Sequence, residues 1–180
     1  MTSSTGRKVT INRAPVLTLW ATVVAERLGF DHSEALTLGK AVAGLNAYAK
    51  GVRLGIYEPA PATVKKQRKE LEHGARLTVS LLHRAVPVAQ TPDGLRALAK
   101  EKPIDPASVE RYLASKFGPS LEEVRRAMAD LAGALPPRDL AARAYALYEK
   151  FRPEIPPGVS GWGAAGVLDL DAIERMARKV

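Results

Sequence analysis

The sequence predicts a mainly α-helical fold, an α+β arrangement in which a compact multi-helix domain carries a small central β-hairpin or ribbon. Three observations lead there. The chain on either side of residues 52–104 is punctuated by helix starts and stops. Between them, RLTVSLLHRAVPVAQ alternates Leu77, Val79 and Leu81 with Thr78 and Ser80 and is rich in valine. Finally, 46% of the 180 residues are hydrophobic, enough to bury one sizeable core.

Residues 1–12 read as a polar tail ahead of a single domain spanning 13–180. A first helix is expected over 15–28, with Pro15 in its first turn, where a missing N–H costs nothing, and Gly29 as its stop. Leu17, Trp20, Val24 and Leu28 recur at helical spacing and assign that face to the core. Asp31 caps a second helix, Glu34 completes a capping-box pattern, and Gly51 is the expected end. Along this helix Ala35, Gly39, Ala43 and Ala47 form a strip of small side chains on which another helix can approach closely. Gly39 and Gly44 each cost the helix ~1 kcal/mol relative to alanine, which close packing must offset.

Pro59 and Pro61 exclude a continuing helix, and Val52 to Tyr57 suits a short strand. VKKQRKELEH reads as a solvated helix ended by Gly74. Two strands follow, broken near His83 and Arg84. The tetrad Thr91-Pro92-Asp93-Gly94 supplies turn chemistry that makes LRALAK a returning strand, although Thr91 as a cap with Pro92 in a first turn offers a helix over the same residues. Beyond it, Asp105-Pro106 starts a helix that stops at Gly118. Ser120 with Glu123 forms a second capping box for a helix to about Leu131, and Pro136-Pro137 precede a helix bearing Leu140, Ala144, Leu147, Tyr148 and Phe151. A loop rich in proline and glycine then leads to a final helix capped by Asp169.

Composition limits the chemistry. The chain has no cysteine, so disulfides, thiolate metal sites and cysteine nucleophiles are excluded and a reducing cytoplasm suits it. No stretch reaches the apolar length of a membrane span, and MTSSTGRKVTINR lacks the apolar region of a secretory signal. The formal net charge is +8 and the pI about 9.9, which invites a polyanionic partner. The surplus is uneven: residues 61–104 hold 9 basic and 4 acidic side chains, whereas residues 105–180 hold 11 of each.

Two glycine corners, AERLGFDHSEALTLGKAV and LASKFGPSLEEVRRAM, resemble the helix-turn-helix pattern, with Ala25, Leu28, Gly29 and Ala35 matched by Ala114, Phe117, Gly118 and Val124. Any two short helices packed at an angle meet much the same demands. The first corner would present His32, Ser33, Leu36, Thr37 and Lys40 to a groove, a weak set; the second offers Arg125 and Arg126 behind Glu122 and Glu123. The better candidate for phosphate contact is the cluster Lys65, Lys66, Arg68 and Lys69, followed by Arg76 and Arg84, then by Arg96, Lys100 and Lys102 on the expected hairpin. The bland alternative is a solvated helix carrying Lys66–Glu70 and Arg68–Glu72 pairs.

Other motifs carry less. Gly161-Trp162-Gly163-Ala164-Ala165-Gly166 fits the dinucleotide glycine pattern formally, but Pro156-Pro157 stand where its strand belongs and no helix follows directly. Trp162 reads as a pin holding its loop to the core, or else as a docking residue for a ligand or partner. His32, His73 and His83 are scattered without carboxylate companions, which disfavours a metal site, and no serine stands in a nucleophile elbow. APVLTLWATVVAERLGFDHSEALTLGKAVAG together with RPEIPPGVSGWGAAGVLDLDAI resembles an uncharacterised bacterial protein family; the resemblance covers most of the chain and implies no activity or site residue. The expectation is therefore a basic, non-enzymatic nucleic-acid-associated protein without a cofactor, with DNA favoured over RNA. The alternative is an interaction or scaffold module using the small-residue strip and the Trp162 loop to bind a protein or a second copy of the chain.

Overall fold

The computed structural model describes residues 7–53, 77–155 and 165–180. Strand β1 (Lys8–Ile11) leads into α1 (Arg13–Arg27) and α2 (His32–Arg53). After them come β2 (Leu77–Leu81), β3 (Arg84–Thr91), β4 (Gly94–Ala99) and the short β5 (Lys102–Pro103). The remainder comprises α3 (Pro106–Phe117), α4 (Leu121–Gly133), α5 (Pro137–Phe151), β6 (Gly166–Asp169) and α6 (Leu170–Lys179). The described residues thus form a mostly helical fold with two small antiparallel sheets, β1-β6 and β2-β3-β4-β5.

Helix α1 is the centre of the core. Every residue from 15 to 25 is buried, so the helix is enclosed on all sides rather than along one face. Its two buried hydroxyls are satisfied within the helix: Thr18 Oγ1 donates to Ala14 O at 2.9 Å and Thr22 Oγ1 to Thr18 O at 2.8 Å. Trp20 donates its indole N–H to Ala144 O of α5 at 2.9 Å and meets the edge of Phe151 with ring centroids 5.2 Å apart. Gly39 explains how α2 comes so close: a Cβ there would collide with Thr22 Oγ1 and lie 2.5 Å from Thr18 O. Gly44 has open space around it, so only one of the two helix glycines is used for packing.

The Asp31–Glu34 capping box forms as its sequence predicts, with Glu34 N–H donating to Asp31 Oδ1 at 2.8 Å and Asp31 N–H to Glu34 Oε1 at 3.2 Å. Helix α2 does not stop at Gly51 but continues to Arg53, because glycine within a helix lowers propensity without removing a hydrogen bond. The expected strand over 52–57 thereby loses Val52 and Arg53 to the helix, and its remaining residues lie outside the described ones, as does the expected helix over 64–73.

The central ribbon is a four-stranded meander. Thr91-Pro92-Asp93-Gly94 makes the hairpin, not a helix cap: Thr91 pairs with Gly94 across the turn, and Thr91 Oγ1 donates to Gly94 O at 2.7 Å. Helix α2 closes part of the β4 edge, since Glu34 Oε2 accepts from Leu95 N–H at 3.0 Å and Thr37 Oγ1 from Ala97 N–H at 3.0 Å. The other two hairpin turns are built without glycine. Leu82 and His83 have φ of 49° and 61°, Lys100 and Glu101 of 49° and 68°, and in the first of these turns Leu82 is buried in the core.

Two further expectations are corrected. Ser120 makes no capping hydrogen bond; a single 3-10 turn over Gly118–Ser120 runs directly into α4 and leaves Ser120 in helical conformation, where its hydroxyl does not reach the first-turn N–H groups. The end of the supposed N-terminal tail is a strand: β1 pairs antiparallel with β6 from Lys8↔Asp169 to Ile11↔Gly166, and Ile11 is buried. Gly166 permits this, since a Cβ there would lie 2.7 Å from Glu154 O, on the other side of β6. Asp105 and Asp169 do cap their helices, accepting from Ala107 N–H and from Asp171 and Ala172 N–H.

Candidate nucleic-acid interface

The basic residues divide into those whose charge is spent internally and those that face solvent. Arg84, at the start of β3, turns inward: its Nη2 donates to Asn46 Oδ1 at 3.0 Å, and Tyr145 OH donates to the same oxygen at 3.2 Å. Arg96 folds back on its own turn, donating to Leu95 O and Asp93 O at 2.9 and 3.2 Å. The donors of both are thus partly committed. Lys100 and Lys102 differ. Both are exposed at the β4–β5 turn, and neither side chain has a carboxylate or hydrogen-bond partner among the described residues.

Register places that turn. Leu95 sits beside Glu34 and Ala97 beside Thr37, so β4 and α2 advance in the same direction. Beyond Ala97 the chain of β4 continues to the turn that bears Lys100. On the adjoining side of α2, Lys40 and Lys116 of α3 approach the same Tyr112 ring. Lys40 and Lys116 thus stand where α2 packs on α3, and Lys100 and Lys102 at a turn of the meander, which packs on α2 through β3 and β4. Lys65, Lys66, Arg68, Lys69 and Arg76 lie outside the described residues, as does Trp162.

The two helix-turn-helix-like corners are placed differently. In the first, Leu36 and Thr37 are fully buried, Thr37 beneath the β4 edge, and Lys40 is partly covered. His32 has companions the sequence did not suggest: its Nε2 lies 2.9 Å from Glu110 and its Nδ1 3.5 Å from Glu26, so it ties α2 to α3 and α1. In the second corner, Ala114 is exposed where Ala25 is buried, so the two corners do not lock their helices in the same way. Arg126 is exposed, whereas Arg125 is largely covered, with Nε unpartnered and 4.0 Å from Glu122. Both belong to α4, which packs on α1 and α6, while the meander packs on α2.

Catalytic geometry is not apparent among the described residues. No group of three or more His, Asp or Glu is arranged to hold a metal there. A cleft of about 210 Å³ beneath the β2–β3 tip is lined by Val24, Leu28, Leu81, Leu82 and Ala141 with Ser80 and His83, which gives no base-nucleophile pair with an orienting third group. No described helix is long and apolar enough to cross a membrane. Comparison with protein-family models, with curated proteins and with solved structures gives no match to this chain.

Proposed function

We propose that this is a basic, non-enzymatic protein that associates with nucleic acid, DNA in preference to RNA, by contacting the phosphate backbone. The observation that carries the reading is the surplus of 9 basic over 4 acidic side chains in residues 61–104, two of which, Lys100 and Lys102, stand exposed without carboxylate partners among the described residues. Such contacts work by displacing condensed counterions, so each phosphate neutralised contributes a slope of about −0.9 in log K against log salt on duplex DNA. They position a protein on the duplex without reading bases. The burial of Leu36 and Thr37 supports this backbone mode over groove reading by the first corner.

Fluorescence anisotropy of a labelled duplex across a salt series tests it. Binding is expected to weaken steeply as salt rises. Changing Lys65, Lys66, Arg68 and Lys69 to glutamine flattens the slope by several units, Lys100→Gln with Lys102→Gln by about two, and Arg125→Gln with Arg126→Gln by little. Sequence-dependent binding lost mainly with the arginine pair would instead assign a recognition helix to the second corner. Silence toward both DNA and RNA at low salt overturns the proposal in favour of an interaction module. For that module, the small-residue strip is already occupied by α1 against Gly39, which leaves the Trp162 loop as its contact.

A further inference from the structure

One pair of cations lies close together without compensation. Lys40 Nζ stands 3.8 Å from the centroid of the Tyr112 ring, and Lys116 Nζ stands 6.0 Å from the same centroid. The ring face attracts an ammonium, which accounts for each lysine singly but not for bringing two like charges to one ring. Neither ammonium, nor the Tyr112 hydroxyl, has a hydrogen-bond or ion-pair partner among the described residues. Glu110, the carboxylate nearest in sequence to Tyr112, is engaged by His32. Two ammonium groups from two helices thus approach one tyrosine ring, and no acceptor among the described residues engages them or the ring's hydroxyl.

We propose that Lys40, Tyr112 and Lys116 form a binding site for a phosphate group, best matched by a dianionic phosphate monoester. Two ammonium groups suit a ligand of charge near −2 with several acceptor oxygens, and lysine binds phosphate as a point charge. Burial holds the Tyr112 hydroxyl above its ordinary pKa, so it stays protonated and able to donate. Burial, and then the charge of Lys116, pull Lys40 below the ordinary amine value. An anion seated between the lysines reverses the second influence, so binding takes up protons wherever Lys40 is partly neutral. The site is independent of the nucleic-acid reading, because free phosphate is sufficient to fill it.

Isothermal titration of the full chain with inorganic phosphate at low ionic strength, in two buffers of different ionisation enthalpy, tests the proposal. Saturable one-to-one binding is expected, with proton uptake in the alkaline range, where inorganic phosphate is already dianionic and releases no proton of its own on binding. Lys40→Gln and Lys116→Gln each weaken it tenfold or more, Lys40→Arg retains most of it, and Lys100→Gln with Lys102→Gln leaves it unchanged. The conservative arginine variant and Lys116→Gln, at an exposed position in the last turn of α3, keep the test valid if Lys40→Gln perturbs folding. No saturable binding, or equal loss in the Lys100/Lys102 variant, overturns the site and marks the signal as diffuse surface charge. A parallel duplex titration separates the sources. Retained DNA affinity in Lys116→Gln with lost phosphate binding supports a free monoester as ligand, and loss of both supports the nucleic-acid backbone. A wild-type chain that binds phosphate but not DNA sinks only the functional reading above.

Discussion

Gly39 and Gly44 lie on one helix, and the sequence assigns them the same propensity cost, yet their surroundings give substitutions of opposite sign. Gly39→Ala places a methyl group against the buried Thr22 hydroxyl and the Thr18 carbonyl of the α1 backbone, so α1 and α2 must separate. Overpacking of that kind costs about 1–3 kcal/mol. Gly44→Ala meets no atom within 4 Å and recovers up to about 1 kcal/mol of helix propensity. Urea denaturation of the two variants should therefore move the midpoint in opposite directions; matched shifts would mean that the close approach at Gly39 is not made. Tyr148 gives a residue-scale prediction in pH. Burial raises its pKa to about 12, above the value near 10 expected in the unfolded chain. The folded state then holds the phenolic proton more tightly, so this stability is complete below pH ~10 and is lost as pH rises toward ~12, a difference on the order of 2–3 kcal/mol. Tyr148→Phe should flatten the alkaline fall in the urea midpoint while changing the neutral value little, since its hydroxyl bond to Arg13 O is long at 3.5 Å.

At the scale of elements, what the sequence discloses is what is encoded locally. Asp31 with Glu34, Asp105 with Pro106, Asp169, and the apolar spacing from Leu140 to Phe151 all predict helices that the structure contains. The Thr91–Gly94 turn resolves as a hairpin because Val88 and Ala97, on strands flanking it, pair in the buried face, a fact that no short window contains. Strands β1 and β6 escape notice for the same reason. Each has four residues, and each acquires its meaning from a partner at the other end of the chain. Of the candidate interface, the sequence shows the charge but not its commitment: Arg84 and Lys100 look alike until Asn46 takes up one of them. Glu34 shows the limit well, because one carboxylate oxygen serves the helix cap and the other closes the β4 edge. Glu34→Gln retains only one acceptor oxygen and should leave a strand or cap N–H unsatisfied, costing about 1–3 kcal/mol. Hydrogen exchange at Leu95 and Asp31 reports which bond is lost, and unchanged protection at both would remove Glu34 from the edge.

For the molecule as a whole, the decisive contact joins the two ends of the chain. Beside the β1–β6 ladder, Leu170 N–H donates to Arg7 O at 2.9 Å, and the Arg7 guanidinium meets Glu123 of α4 and Asp171 and Glu174 of α6. Two forces are available to hold this clasp, and their settings differ. The Arg7 pairs are exposed and screened by salt, so they add little. Ile11 is 5% exposed and Leu168 fully buried, so the clasp is also the lid over one end of the core. Ile11→Ala deletes a buried side chain whose loss typically costs about 2–5 kcal/mol. Removing residues 1–11 takes away the ladder as well and should destabilise the chain further. Arg7→Ala, in contrast, should shift the urea midpoint only slightly, and less still in 0.5 M salt. If Arg7→Ala proved as damaging as Ile11→Ala, the closure would be electrostatic, and the stability of the whole protein would fall as salt rises. With an apolar clasp, the salt series that tests nucleic-acid binding can be run without loosening the fold, so a steep slope in that experiment reports phosphate contacts and not partial unfolding.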